Sequence, residues 1–293
     1  MLALATLLVV LTPAESAEIE RGRALGRLVA VTEPGDVTIL GAVRIHAPRE
    51  RVFRWTLDIA NFKHSSLVLD AGSLADLDRL RLARHETAPL AECAPGRCGV
   101  KLTAPEIAVL RGVDADTASR RAREVVLDLV ARLRRNALDP VQDKAVPVDP
   151  AAVFQSLLER SRELRDAAPA LYARLAAGRV CDRDMFYWSR ERYGFGFKTT
   201  LNLYHVSFDH ASPALDVVVS RQVRSTHYFD GSLSVTVLAD APGGDTYLAY
   251  TNTSRVDLLR GGVSGWKRIL FERRVPAEIR KQLELMRLSA ESY

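Results

Sequence analysis

The chain is 293 residues long, 47% apolar and 26% charged, with a formal net charge of +5. This is a globular composition, long enough for one large domain or two small ones. No aromatic-interleaved basic stretch and no DNA-reading motif occurs, which argues against nucleic acid as a partner. Of the 41 basic residues, only Lys63, Lys101, Lys144, Lys198, Lys267 and Lys281 are lysine. The arginine bias suits phosphate and carboxylate recognition, and GC-rich coding explains it equally well.

Leu2–Leu11 is an apolar run far shorter than the about 20 residues that span a bilayer. With Pro13 and the small residues up to Ala17, it reads as a secretory leader over 1–17, although no Lys or Arg precedes it. The expected location is therefore periplasmic or secreted. Residues 18–36 are a polar lead-in ending in a Pro-Gly turn. From Val37 to Ile45 apolar residues alternate, predicting a strand. Pro48 suits the first turn of a helix, and Val52, Phe53, Thr56, Ile59 and Ala60 then share one helical stripe. Ser65–Gly72 predicts a second strand.

Between 74 and 182 the chain turns helical and charged. Short helices are predicted over Leu74–Ala83 and Thr103–Leu110, the latter opened by a Thr103/Glu106 capping box. Cys93 and Cys98 flank a Pro-Gly turn that can bring two sulfurs together. The pair reads as a local disulfide worth at most about 2–3 kcal/mol, with free thiols the alternative. Cys181 reads as a small buried apolar residue. The strongest helix is Asp116–Asn136, with Ala122, Val126, Leu129 and Leu133 on one face and arginines on the other. That basic face is either solvated or a docking surface for an anionic membrane. Asp149 and Pro150 restart a helix running to about Asp166, and Pro169–Gly178 supplies one more.

From Asp184 the period returns to two. Met185–Tyr193, Gly196–Phe208, Leu215–Val223, His227–Leu238 and Thr246–Val256 predict five strands in an antiparallel meander. Gly262–Ser289 closes the chain as one long amphipathic helix, kinked at Pro276.

Strand parity places Phe197, Leu201 and His205 on one face, as it does Val217, Val219 and Arg221, and likewise His227, Leu233 and Val235. A bulge would reverse any of these assignments. Three readings stand. His205, His227 and Arg221 are satisfied half-buried residues; or they fix the polar end of a ligand whose body lies along Phe197, Leu201, Val217, Val219, Val235 and Trp266; or His227 with Asp230 or Tyr228 performs acid–base chemistry. No phosphate loop, metal-ligand pair or Gly-x-Ser-x-Gly elbow is present. No catalytic residue, metal or cofactor is assigned.

Strand, Ala47-Pro48, amphipathic helix and Asp58, with the motif Ile45–Phe53, resemble the opening of the START-like (Bet v 1-like, SRPBCC) helix-grip family. Ser220–Leu233 and Asn252–Arg274 are similar to bacterial members of that layout. The resemblance implies an α+β helix-grip fold, a curved antiparallel sheet around a long C-terminal helix. The grip domain spans 18–73 and 183–293, interrupted by a helical insertion over 74–182 that serves as lid, dimerisation element or decoration. It further implies a cavity for a hydrophobic small molecule or lipid that is bound or carried without turnover. The alternatives are a cyclase- or hydrolase-like enzyme using His227, and a protein-interaction module acting through the arginine-rich insertion.

Overall fold

The computed structural model describes residues 11–29, 33, 35–63, 67–87, 90, 93, 100–135, 149–193, 197–257 and 264–293, excepting the side chains of 60, 61 and 264–275. Eight antiparallel strands form one sheet: β1 (Leu25–Val29), β2 (Asp36–Ile45), β3 (Val68–Ser73), β4 (Met185–Glu191), β5 (Thr200–Ser212), β6 (Leu215–Ser225), β7 (Phe229–Asp240) and β8 (Thr246–Val256). Their spatial order is β1-β2-β8-β7-β6-β5-β4-β3. The five predicted meander strands are all present, and consecutive strands from β3 to β8 are neighbours.

The polar lead-in, for which the sequence reading named no element, carries a helix end and a strand. Helix α1 (Pro13–Glu20) opens on a Thr12/Glu15 capping box and buries Ile19, and β1 then pairs with β2. Alternation is weak in Leu-Gly-Arg-Leu-Val, so its strand character depends on the partner. A leader cut after Ser16 or Ala17 would divide α1 in the middle. Residues 1–10 of that leader lie outside the described residues.

The helix predicted after Pro48 is α2 (Arg49–Leu57), followed by the single turn α3 (Ile59–Phe62). Between β3 and β4, the stretch read as an insertion, the described residues are helical: a 3₁₀ segment at Leu74–Arg79, α4 (Arg84–Thr87), α5 (Ala104–Leu110), α6 (Ala115–Arg134), α7 (Pro150–Arg160), α8 (Arg162–Ala167) and α9 (Pro169–Ala176). The capping box at Thr103 forms as read, and Asp149 caps α7 ahead of Pro150. The helix expected to reach Asp166 breaks at Ser161. Cys93 is disulfide-bonded and Cys181 is a free thiol; Cys98 lies outside the described residues.

Helix α10 (Ser264–Ser292) runs through Pro276 as a single helix. It lies along β1 and β2, where two glycines set the approach. A Cβ on Gly26 would stand 3.0 Å from the Pro276 carbonyl oxygen, and one on Gly41 would stand 2.6 Å from Leu283 Cδ1. The last turns are tied down by polar contacts: Ala24 N donates to Glu284 at 2.9 Å, His46 N to Glu291 at 3.0 Å, and Trp55 Nε1 to Ser289 at 3.0 Å.

Because strand side chains alternate, the sheet has two faces and each is buried under different helices. The inner face, toward α2 and α10, presents Val43, Ile45, Tyr187, Tyr204, Val206, Val218, Leu238 and Leu248, packed with Phe53, Trp55 and Leu283. The outer face lies under the insertion. Val217, Val219, Val235 and Val237 meet Phe154, Leu157 and Leu171 of α7 and α9. Phe186, Trp188 and Leu203 meet Val126, Leu129 and Leu133 of α6. The insertion is thus a third layer of the molecule.

Candidate functional site

Of the predicted binding residues, those within β5, β6 and β7 share one face, but it is the face opposite the grip helix. Phe197 and His227 precede their strands, and a bulge between Phe229 and Gly231 breaks the alternation that tied His227 to Val235. His205, Val217, Val219, Arg221 and Val235 all lie on the outer face under the insertion. Leu201 packs against the same α6 side, and Phe197 precedes β5 with its ring against Tyr228 at 5.1 Å. Trp266 belongs to α10, and its side chain lies outside the described residues. These residues therefore do not line one cavity.

Around His205 both imidazole nitrogens have partners. Arg221 Nε donates to His205 Nδ1 at 2.9 Å, which leaves Nε2 to donate to Asp184 at 2.9 Å. Phe186 stacks on the imidazole and Phe154 lies under the Arg221 guanidinium, 4.8 Å away. Burial, with Arg221 beside it, pulls the His205 pKa down to about 4 against the pull of Asp184. Burial alone would raise Asp184, but hydrogen bonds from His205, Arg174 and Cys181 hold its pKa below the usual carboxylate value. The cluster cross-links α9, β4, β5 and β6, which is the satisfied-residue reading of these side chains.

The acid–base reading of His227 meets a different geometry. Its Nδ1 lies 3.1 Å from the Thr226 hydroxyl, and burial with nearby Lys198 and Lys101 pulls its pKa down to about 4. Asp230 instead pairs with Lys101 at 2.5 Å, and the Tyr228 hydroxyl accepts from the Lys198 amide. No His–Asp dyad forms between 227 and 230.

The inner face carries an unexpected set of groups at its β3 side. The rings of Tyr187 and Tyr204 stack at 4.6 Å and 15°, and Lys63 Nζ sits over them at 5.4 and 4.7 Å. Such cation–π contacts add to the Lys63–Glu191 ion pair at 3.5 Å. Glu191 also accepts from the Ser189 and Tyr193 hydroxyls. Burial works against both charges. Glu191 and the surrounding tyrosines nevertheless raise Lys63 well above the ordinary lysine value, and Lys63 with its helpers lowers Glu191. Burial raises Tyr187, Tyr193, Tyr204 and Tyr250, so all four remain neutral hydroxyl donors at ordinary pH.

Across β5 to β8 the same face continues in polar pairs. Gln222 Nε2 donates to Asn202 Oδ1 at 3.0 Å, and Asn252 Nδ2 donates to Ser234 at 2.7 Å, next to Tyr250. Asn202 is fully buried and Gln222 is 3% exposed. Gln222 Oε1 and Asn202 Nδ2 make no hydrogen bond of normal geometry among the described residues, although the Asn202 amide faces the Tyr193 hydroxyl. Buried polar atoms left open in this way cost stability unless something completes them.

Sequence reasoning missed Lys63, Tyr187, Glu191, Asn202, Tyr204 and Gln222. The available signal was the opposite parity of the same strands, which puts Asn202 and Tyr204 on one face of β5 and Ser220 and Gln222 on one face of β6. Among the described residues, no group of three or more His, Cys, Asp or Glu side chains could hold a metal ion, and no helix is long and apolar enough to cross a membrane.

These observations define an α+β protein of helix-grip layout, an antiparallel sheet with a long C-terminal helix on one face and a helical layer on the other. Among solved structures, the crystal structure of human STARD10 is similar at 9% identity, covering 98% of this chain and 82% of that one with a TM-score of 0.38. No family model and no curated protein sequence matches the chain.

Proposed function

We propose that the protein binds or carries a small amphipathic molecule, of which a lipid is one class, on the inner face of the sheet beneath α10, without turning it over. The observation that supports this is the composition of that face. A buried sheet face meant only for packing would repeat the valines of the outer face. This one is apolar toward α2, at Val206, Val218 and Leu238, and becomes tyrosine-, amide- and hydroxyl-lined further along the same strands, at Tyr204, Asn202, Gln222, Ser234 and Asn252. An apolar body with a few placed polar groups is the common make-up of a small-molecule site. Each buried methylene of a ligand would add about 0.8 kcal/mol.

The test is to purify the protein gently, record native mass spectra and extract the bound material with organic solvent. A small molecule retained in near-stoichiometric amount is the expected result. An empty protein that also fails to take up fatty alcohols, fatty acids or sterols refutes the reading.

We also propose a periplasmic or secreted location. The oxidised Cys93 supports it, since structural disulfides persist in oxidising compartments. Cell fractionation with intact-mass measurement of the mature chain checks it and fixes the cleavage point relative to α1. The arginine-bearing side of α6 supports a peripheral contact with anionic membrane. Co-sedimentation with phosphatidylserine vesicles at low and high salt tests that contact.

A further inference from the structure

The amide pair on the inner face is the feature that packing leaves unexplained. Asn202 and Gln222 hydrogen-bond once to each other, and each is fully or almost fully buried. Gln222 Nε2 also lies 3.5 Å from the Tyr204 hydroxyl and the Asn202 amino group faces the Tyr193 hydroxyl, which leaves one Asn202 N–H and the Gln222 carbonyl open. Turning both amides around exchanges the atoms without changing the count, so one donor and one acceptor stay open in either orientation. The neighbouring groups do not present a net charge. Among the described residues of this face, the Lys63 cation is matched by Glu191, and the tyrosines around them are neutral.

We infer that Asn202 and Gln222 form a polar subsite for an uncharged ligand group that both accepts and donates a hydrogen bond, such as a hydroxyl or a primary amide. A hydroxyl there accepts from the open amide N–H and donates to the open carbonyl. A carboxylate or phosphate offers acceptors only, leaving the carbonyl unanswered, and must enter beside Glu191. The aromatic wall of Tyr187 and Tyr204 flanks the subsite, so the attached body is apolar. This inference rests on the binding reading above and adds the chemistry of the ligand's polar end.

The experiment uses the full chain and three probes of one hydrocarbon body: oleyl alcohol, oleamide and oleate, each delivered from cyclodextrin and followed by native mass spectrometry. The alcohol and the amide are expected to bind about tenfold more tightly than oleate, as expected of a site built to satisfy a donor and an acceptor. Gln222→Met keeps the length of the side chain and removes its polar atoms. It should abolish that preference while leaving oleate binding within about twofold. Asn202→Leu is measured in parallel and decides the matter where Gln222→Met does not fold. Oleate binding as tight as the alcohol, or a preference that survives the substitutions, overturns the inference while leaving the binding reading standing. If none of the three binds, both fail.

Discussion

At His205, Nδ1 accepts from Arg221 and Nε2 donates to Asp184, an arrangement that only the neutral imidazole satisfies. Its folded pKa of about 4 lies below the ordinary histidine value of 6.5. Between those two values the unfolded chain takes up a proton that the folded chain refuses. The contribution is therefore fully present above pH 6.5 and is lost as pH falls through the window toward 4. The loss between pH 7 and pH 5 is about 2 kcal/mol for this one residue. His227, with the same direction and a similar value, adds to it. Urea unfolding at the two pH values should show His205→Gln losing correspondingly less than the parent chain. An equal loss in both would place the acid sensitivity elsewhere. Asp36 is the other pivotal residue of the outer layer: it is 1% exposed at the side chain and receives Arg160 of α7 at 2.5 Å and Arg255 of β8 at 2.7 Å. Asp36→Ala leaves two partly solvated cations without their carboxylate and should cost about 1–3 kcal/mol. Denaturant titration measures the loss, with proteolytic nicking expected first near α7.

Between elements, the contact that seats the grip helix is a glycine-for-leucine exchange of volume. Gly41 on β2 leaves the space that Leu283 of α10 fills, and Gly26 on β1 lets the backbone near Pro276 approach. Gly41→Ala should destabilise by about 1–3 kcal/mol through overpacking. Combining it with Leu283→Ala should give less than the sum of the two single losses, because the clash is removed with the side chain. Additive losses in a double-mutant cycle would show that the two positions do not meet.

Across the whole molecule, the insertion behaves as a layer. Its helices cover Val217, Val219, Val235, Val237, Phe186, Trp188 and Leu203, so a chain lacking 74–182 should expose an apolar sheet face and aggregate. A soluble, ligand-competent deletion variant would restore the lid or decoration reading. This layer also explains what was legible in the sequence and what was not. Thr103, Asp149 and Pro150 announce their helices because capping is local chemistry, and the period-two runs after Asp184 announce the meander. Parity put His205 and Arg221 together, but choosing a face from apolarity assumed that one side of the sheet is buried. Here both are, and the more apolar side belongs to the insertion. Leu25–Val29 was unreadable for a related reason: its strand exists through pairing with β2.

That interleaving of two buried layers has an evolutionary side. Along β6 the chain alternates Val217, Val218, Val219, Ser220, Arg221, Gln222, so neighbouring codons serve opposite sides of the sheet. The inner face can change by substitution at every second position with little effect on the helices behind. One codon gained or lost within the strand would instead send Arg221 inward and Gln222 outward, spoiling both sides at once. Diversification of the inner face is thus open to point changes and closed to insertions and deletions. Length variation among descendants should gather in the hairpin turns and in the insertion's loops.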